Sequence, residues 1–526
     1  MTNKNLRRIL FATASLAVLS GCNGASDIAS PGTGGNVIIN NPPAPTPTPA
    51  PTPTPTPLVT AAAGCPTIAD PQGLTDGGTI TGPTGSYRIC ALPARINRSI
   101  QLTKITGLLY RMNGRVDVGT DGGPVAVADT NVTLTIDPGV IVYANTGVSW
   151  LAVNRGNKIN AAGTATQPII FTSRDNILGL NTENSSGQWG GVVLMGRGKI
   201  TDCAAPGATP GTVACERQTE GATDPALYGG ADNAYNAGVL RYVQIRYSGY
   251  VLSADSELQS LTTEGTGTGT TIDHVQSFNS SDDGAEFFGG AVNMKYFASI
   301  GAEDDNLDSD TGVQANFQYI LAVQRPGIGD AMIEADTDNA LDGNTPRQHT
   351  AVSNATFIQR STTGADLAAI LLRGGTDYTL VNSVVVSPDL PCLRISRANT
   401  IQAADPAQDE LGAPVFKSVV LQCAATKYLG ANTVTAAQVQ TIFGSGTNNN
   451  NDAFVPTLTG VYVNGTNETA VTPFDAKTLF PFFDTTAYIG AVRNATDTWY
   501  AGWTCNSAIA NFGTGNSGLC TSLPTS

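Results

Sequence analysis

Residues 280–292 read SSDDGAEFFGGAV, and residues 302–314 read AEDDNLDSDTGVQ. The second stretch lies 22 positions after the first. At that offset Asp282 falls on Asp304, Asp283 on Asp305, Glu286 on Asp308 and Gly290 on Gly312, and apolar Ala285 falls on Leu307. An interval of 22 suits one coil of a solenoid built from short stacked strands, in which matched residues lie one strand spacing, about 4.8 Å, apart. A longer third coil would carry DAMIEAD (330–336) and set Glu334 over Asp308, with a loop absorbing the surplus residues.

Carboxylates stacked at that spacing repel by about 1 kcal/mol in bulk water and by several kcal/mol at low effective dielectric. Something must offset the repulsion. A hard cation such as Ca²⁺ takes six to eight oxygen ligands, and Asp282, Asp283, Glu286, Asp304, Asp305, Asp308, Asp310 and Glu334 are the candidate ligands. Arginines can interleave, with Arg325, Arg347 and Arg373 in range along the sequence. Alternatively the aspartates sit at corners and accept backbone N–H groups as Asx turns. The sequence leaves all three open. His274 and His349 read as surface or internally satisfied residues, because the chain has only these two and no cysteine–histidine cluster accompanies them.

The surrounding segments agree with a solenoid. Helical periodicity is scarce. Short runs rich in Val, Ile, Thr, Phe and Tyr recur between Gly, Asn, Asp and Ser, among them VTLTI (132–136), GVVLM (191–195), LRYVQIRY (240–247), NMKYFASI (293–300), FQYILAVQ (317–324) and VFKSVVLQ (415–422). The later runs return at intervals of roughly 20–35 residues, which is a solenoid period and not a hairpin period. The expected fold is all-β: a right-handed, single-stranded parallel β-helix over residues 58–425, followed by an irregular, aromatic-rich C-terminal capping segment, 426–526. A β-sandwich or propeller is the alternative, but regular hairpin spacing and a blade repeat are both lacking.

The first 24 residues, MTNKNLRRILFATASLAVLSGCNG, have a basic start and an apolar run too short to span a bilayer. The ending LSGC resembles the bacterial lipobox. That resemblance implies a signal peptide over 1–21, lipid attachment (palmitate included) at Cys22 and, with Asn23 next, an outer-membrane destination. The lipid would be the membrane anchor. Residues 22–57 add a Pro/Thr-alternating tract, NPPAPTPTPAPTPTPTP (41–57). Such a tract favours polyproline II and would make a semi-rigid stalk on the order of 50 Å long. Eight cysteines remain for an exported body, and neighbour pairing (Cys65–Cys90, Cys203–Cys215, Cys392–Cys423, Cys505–Cys520) closes the shortest loops. The formal charge is −14, or −17 once Lys4, Arg7 and Arg8 leave with the signal peptide. A surface of that sign repels nucleic acid and suits divalent cations or neutral and basic partners.

LTIDPGVIVYANTGVSWLAVNRGNKINAAGTATQPIIFTS (134–173) is similar to an opening coil of pectate-lyase-like parallel β-helix surface proteins. Gly163, Thr164, Ala165, Pro168, Ile169, Phe171, Thr172 and Ser173 carry the likeness, and GQWGGVVLMGRG (187–198) continues it, over about residues 130–425. The resemblance implies the architecture and leaves activity open, because such scaffolds host lyases, hydrolases, adhesins and inert stalks. SSDDG resembles the aspartate pair of polygalacturonase-type hydrolases, but that family's glycine-flanked histidine and basic motif are missing. Arg373 in LLRGGTDY (371–378) is the candidate for a lyase base, and a GxSxG nucleophile motif is lacking.

Beyond Thr426, TAAQVQTIFG (435–444) predicts a short helix with Thr435 as N-cap. LFPFFDTTAYIGAVRNATDTWYAGWTC (479–505) reads as a hydrophobic cap over the open end of the solenoid. The other reading is a sugar-binding platform made by Trp499, Tyr500 and Trp503. The functional expectation is a non-enzymatic, lipid-anchored surface protein that binds a polysaccharide, an envelope polymer or an outer-membrane protein. The alternative is a polysaccharide lyase or glycoside hydrolase on the same scaffold.

Overall fold

Long and short strands alternate along the chain: Thr271–Phe278, Ala285–Phe288, Ala291–Ile300, Asp308–Asp310, Gln314–Val323, Ile333–Ala335, His349–Ile358. The computed structural model describes residues 58–253, 256–337, 340–362, 368–515 and 517–525. Long strands pair with long strands and short with short, in parallel, from the coil of Leu108–Met112 to that of Val415–Cys423. Two sheets result, one of 15 strands and one of 11. This is a parallel β-helix. The expected signal peptide, Cys22 and the Pro/Thr tract lie outside the described residues.

Each long strand bends once. Tyr242, His274, Tyr296, Tyr319, Asn354, Asn382 and Ser418 all have φ between +50° and +62°. They occupy one column, because the pairing skips these positions while its register continues on either side. A left-handed residue between two extended segments makes a corner, so each long strand serves two faces of the coil. That conformation costs a non-glycine residue about 1–2 kcal/mol. Ring stacking offsets part of it: His274 lies 4.3 Å from both Tyr242 and Tyr296, and Tyr296 lies 4.7 Å from Tyr319.

Side chains alternate across the short sheet. Val192, Leu194, Leu261, Ala285, Phe287, Ile333 and Ala335 point inward and belong to one continuous core. The outer face is partly roofed by the insertion after Val192–Met195. Its Ile200, Cys215, Ala226 and Tyr228 pack on Val193, Met195 and Phe288, and the Cys203–Cys215 disulfide pins it. All four neighbour pairings form, with Cα–Cα distances of 4.7–5.5 Å.

The ends are closed differently from the sequence expectation. A hairpin, Thr75–Gly82 with Gly85–Ala91, begins the long sheet. Helix Ala436–Phe443, N-capped by Thr435 as expected, buries Val439 and Phe443 in the core beside the last short strand, Tyr428–Ala431. That strand lies past residue 425, so the coils outrun the expected boundary, and Pro57–Ser526 forms one compact unit. The aromatic segment does not cover the open end. It runs as a strap along the flank of the coils, near the corner column.

Side-chain amides hold the strap. Gln276 accepts from Cys505 N (2.8 Å) and donates to Cys505 O (3.1 Å). Gln318 does the same with Asp484 (2.8 and 3.0 Å), and Asn382 with Phe474 (2.7 and 2.8 Å). A primary amide carries one donor group and one acceptor on one plane, so it substitutes for a strand edge.

Candidate cation site on the short sheet

The expected register is present. Glu286 pairs with Asp308, and Asp308 with Glu334, in three successive parallel strands. These residues alternate with inward-facing Phe287, Ser309 and Ala335, so their side chains project from the outer face. The first interval is 22 residues, and the second is 26, its surplus taken up in the connection between Val323 and Ile333.

Asp283 and Asp305 have a different duty. Asp283 Oδ1 accepts Asp305 N at 2.8 Å, and Asp305 Oδ1 accepts Ala331 N at 2.6 Å. Each carboxylate accepts a backbone N–H, but from the next coil and not within a local Asx turn. Asp308 and Asp310 each accept the N–H of the following residue at 2.6 Å. Gln259 donates to Asp282 at 3.1 Å, and Asp304 is exposed.

Among the described residues, arginine is seen paired at the Glu334 rung. Arg373 pairs with Glu334 and, at 2.8 Å, with Asp336. Arg325 pairs with Glu303, and Arg347 pairs with Glu410 at 2.6 Å. Neither of these two joins the ladder.

Two triads remain that could take a cation. Ligand oxygens of Asp282, Asp283 and Asp304 lie within 4.8 Å of one another, as do those of Asp283, Glu286 and Asp308. The local electrostatics are those of carboxylates short of positive charge. Burial, then the neighbouring Asp304 and Glu257, push Asp282 up to about 8. Burial and then Asp336 push Asp310 up to about 8. Burial, with the mutual repulsion of the cluster behind it, raises Asp283, Glu286, Asp305 and Asp308 well above the carboxylate range. Such groups either hold protons at neutral pH or share a cation.

Sequence reasoning missed Glu264. It is buried, accepts the Thr219 hydroxyl at 2.6 Å, and is pushed up to about 8 by burial. It pairs with Phe288, two residues along from the Glu286 column. A signal existed: LTTEG (261–265) matches AEFFG (285–289) at an interval of 24, glycine on glycine. Glu220, from the insertion, adds another carboxyl raised by burial near the same face.

The three rings of the alternative, sugar-platform reading are turned largely into the packing. Trp503 and Tyr500 are buried, and half-buried Trp499 donates its indole N–H to Ala491 O at 2.9 Å. These rings pack the strap against the corner column: Trp503 meets His274 edge-on at 5.6 Å, and Trp499 lies 5.4 Å from Tyr296. His274 itself is a stacked ring bonded to Asp273 at 2.7 Å.

Comparison with curated proteins and with solved structures gives no match. Residues 120–504 match the family described as "Pectate-lyase like beta helix domain", a span that includes nearly all the coils and most of the strap. With the parallel coils and that match together, the chain belongs to the pectate-lyase-like β-helix domain family.

Proposed function

We propose that this protein is a non-enzymatic, lipid-anchored component of the bacterial outer membrane whose β-helix binds a glycan or envelope polymer. A calcium ion at the acid ladder stiffens the coils. The observation that carries this reading is the in-register Glu286–Asp308–Glu334 column, in which, among the described residues, an ion pair with arginine is seen at the last rung. Asp283, Glu286 and Asp308 each offer one carboxylate oxygen, three of the six to eight that Ca²⁺ takes. The lipobox-like LSGC and the Pro/Thr tract support the anchor and the stalk.

Calcium titration of the purified protein tests the reading. Binding is expected to raise the melting temperature, a strong chelator to lower it, and the double variant Glu286→Gln, Asp308→Asn to remove both responses. A melting temperature indifferent to chelator and to added calcium would sink the cation site.

One observation favours a second reading. Asp282 holds a proton near neutral pH beside the exposed Asp304, which is the pairing of acid and base that glycoside hydrolysis uses. Release of reducing ends from polysaccharide, abolished by Asp282→Asn, would make the protein a hydrolase.

A further inference from the structure

One loop of the body is held down with almost no hydrophobic burial. Residues 402–412 leave the coil after the turn Ala398–Thr400 and return to it at Val415–Cys423. Within that stretch Glu410 is the one buried residue, at 3 % exposure, whereas Leu411 is 67 % exposed. A segment with so little apolar contact owes its docking to polar bonds.

Those bonds converge on Arg347, His349 and Asp377, the last two in register on adjacent coils. Leu411 N donates to Asp377 Oδ2 at 2.9 Å, and His349 Nε2 lies 2.8 Å from Asp409 O and 3.0 Å from Asp377 Oδ2. Arg347 N donates to Asp409 Oδ2 at 3.3 Å, and the Arg347 guanidinium pairs with Glu410 Oε2 at 2.6 Å. The loop itself folds round Glu410: Gly412 N donates to its Oε1 at 2.8 Å, and Gln402 donates to its Oε2. The Glu410 and Asp377 side chains are also hydrogen-bonded to each other. Ionised carboxylates only accept, so this pair holds a proton.

The charged groups facing one another are Arg347, His349, Asp377, Asp409 and Glu410. Beside Arg347 the Asp342 carboxylate pairs with Arg397 at 2.6 Å, and among the described residues the strap brings Leu479 and Phe480 to this place. With a proton on the carboxyl pair and a charge on His349, the two cations balance Asp377 and Asp409. Loss of both protons leaves three carboxylates against one arginine. Burial, then the bond to Asp377, raises Glu410, while His349 and Glu410 hold Asp377 down against its burial, so the proton belongs to Glu410. Burial opposes a charge on His349, but Asp377 and Asp409 outweigh it and raise His349. Stabilisation from a raised group is complete below its unfolded value, about 4 for Glu and 6.5 for His, and is lost as pH rises through its folded value. Both groups therefore weaken docking in the same direction.

We propose that residues 402–412 are a proton-held latch, docked while Glu410 and His349 keep their protons and released when both are lost. Release takes away Leu411, one wall of a groove of about 340 Å³ that has Gln314, His349 and Asp377 at its floor and Leu479 and Phe480 opposite. The latch thereby governs access to that groove, independently of the acid ladder.

Amide hydrogen exchange at about pH 5.5 and about pH 9 tests it, expressed as protection relative to the unstructured chain so that the intrinsic pH dependence divides out. Protection over 403–412 is expected to fall by about tenfold or more, the factor one unit of raised value supplies, while Gln314–Val323 stays protected. Glu410→Gln keeps a donor for Asp377 with no proton to lose, so its loop should stay protected to higher pH. The double variant Glu410→Gln, His349→Gln should show no fall. Glu286→Gln, Asp308→Asn, which removes titrating acids of the ladder, should leave the fall in place. Equal loop protection at the two pH values, a fall unchanged by Glu410→Gln, or a fall abolished by the ladder variant would each overturn the latch. Protection of Gln314–Val323 reports whether each variant is folded, and Glu410→Gln, a change in a surface loop, carries the test alone if the double variant is not.

Discussion

Asn382 does two jobs with one side chain. Its backbone turns the corner at φ +50°, and its amide makes both hydrogen bonds with Phe474 of the strap. Asn382→Ala loses both bonds, leaves the Phe474 backbone groups without partners, and places a residue less suited to the left-handed region at a corner. The expected loss is about 2–4 kcal/mol in urea denaturation. Asn382→Gly keeps the corner easy and loses only the bonds, so it should fall between alanine and wild type. Equal stability of alanine variant and wild type would mean that the amide pair holds nothing. Residues of this kind were the hardest to read in advance. Tyr242, His274, Tyr296 and Tyr319 stand in strand-like runs, each directly after a polar residue (Arg241, Asp273, Lys295 and Gln318), and that mark alone does not tell a corner ring from a core ring. Their positive φ belongs to the corner and not to the ring, since Asn354, Asn382 and Ser418 take it in the same column. For that reason His274, read in isolation as a satisfied histidine, is a member of a column.

The short strands carry the acid ladder, and their titration has a defined sign. Glu264, Asp282 and Asp310 are pushed up to about 8, and Asp283, Glu286, Asp305 and Asp308 are raised well above the carboxylate range by burial and mutual repulsion. A carboxyl whose folded value exceeds its unfolded value keeps protons in the native state that the unfolded chain has released. Its stabilisation is present below about pH 4 and is lost as pH rises through about 8. Calcium-free protein should therefore melt at progressively lower temperature between about pH 5 and 8. The gain from added calcium should grow over the same interval, since the ion binds the deprotonated form. Flat calcium-free melting across that range would show that the ladder does not titrate as its burial implies. The ladder was legible because two coils without insertions keep the interval at 22. Glu334 required a loop to absorb extra residues, at an interval of 26. Glu264 escaped notice because it stands in the neighbouring column, where its partner is an aromatic residue and not an acid.

At the scale of the whole molecule, composition marked residues 479–505 as buried but could not say against what surface. Hydrophobic burial is non-directional, so an aromatic segment satisfies it as well along a flank as over an end. The choice is made by Gln244, Gln276, Gln318 and Asn382, outward amides whose partners lie far along the chain. The consequence is mechanical. A solenoid coil touches only its neighbours, and stability is close to a sum of neighbour terms, so an open solenoid can lose coils from one end. Here the strap joins the coil of Gln244 to that of Asn382, and buried Arg246 donates to Cys520 O at 3.0 Å and Ser522 O at 2.9 Å. The Cys505–Cys520 disulfide closes the strap's last loop. A loop of that length is worth about 3 kcal/mol. Replacing both cysteines by serine should loosen the strap before the coils. Amide hydrogen exchange should then rise at Trp503–Phe512 and along Gly238–Arg246, while Gln314–Val323 and His349–Ile358 stay protected, and thermal unfolding should split into two transitions. Wild type should unfold in one. If the double variant also unfolds in a single transition with exchange unchanged along Gly238–Arg246, the strap rides on the coils without coupling them, and the rod owes its cooperativity to the sheets alone.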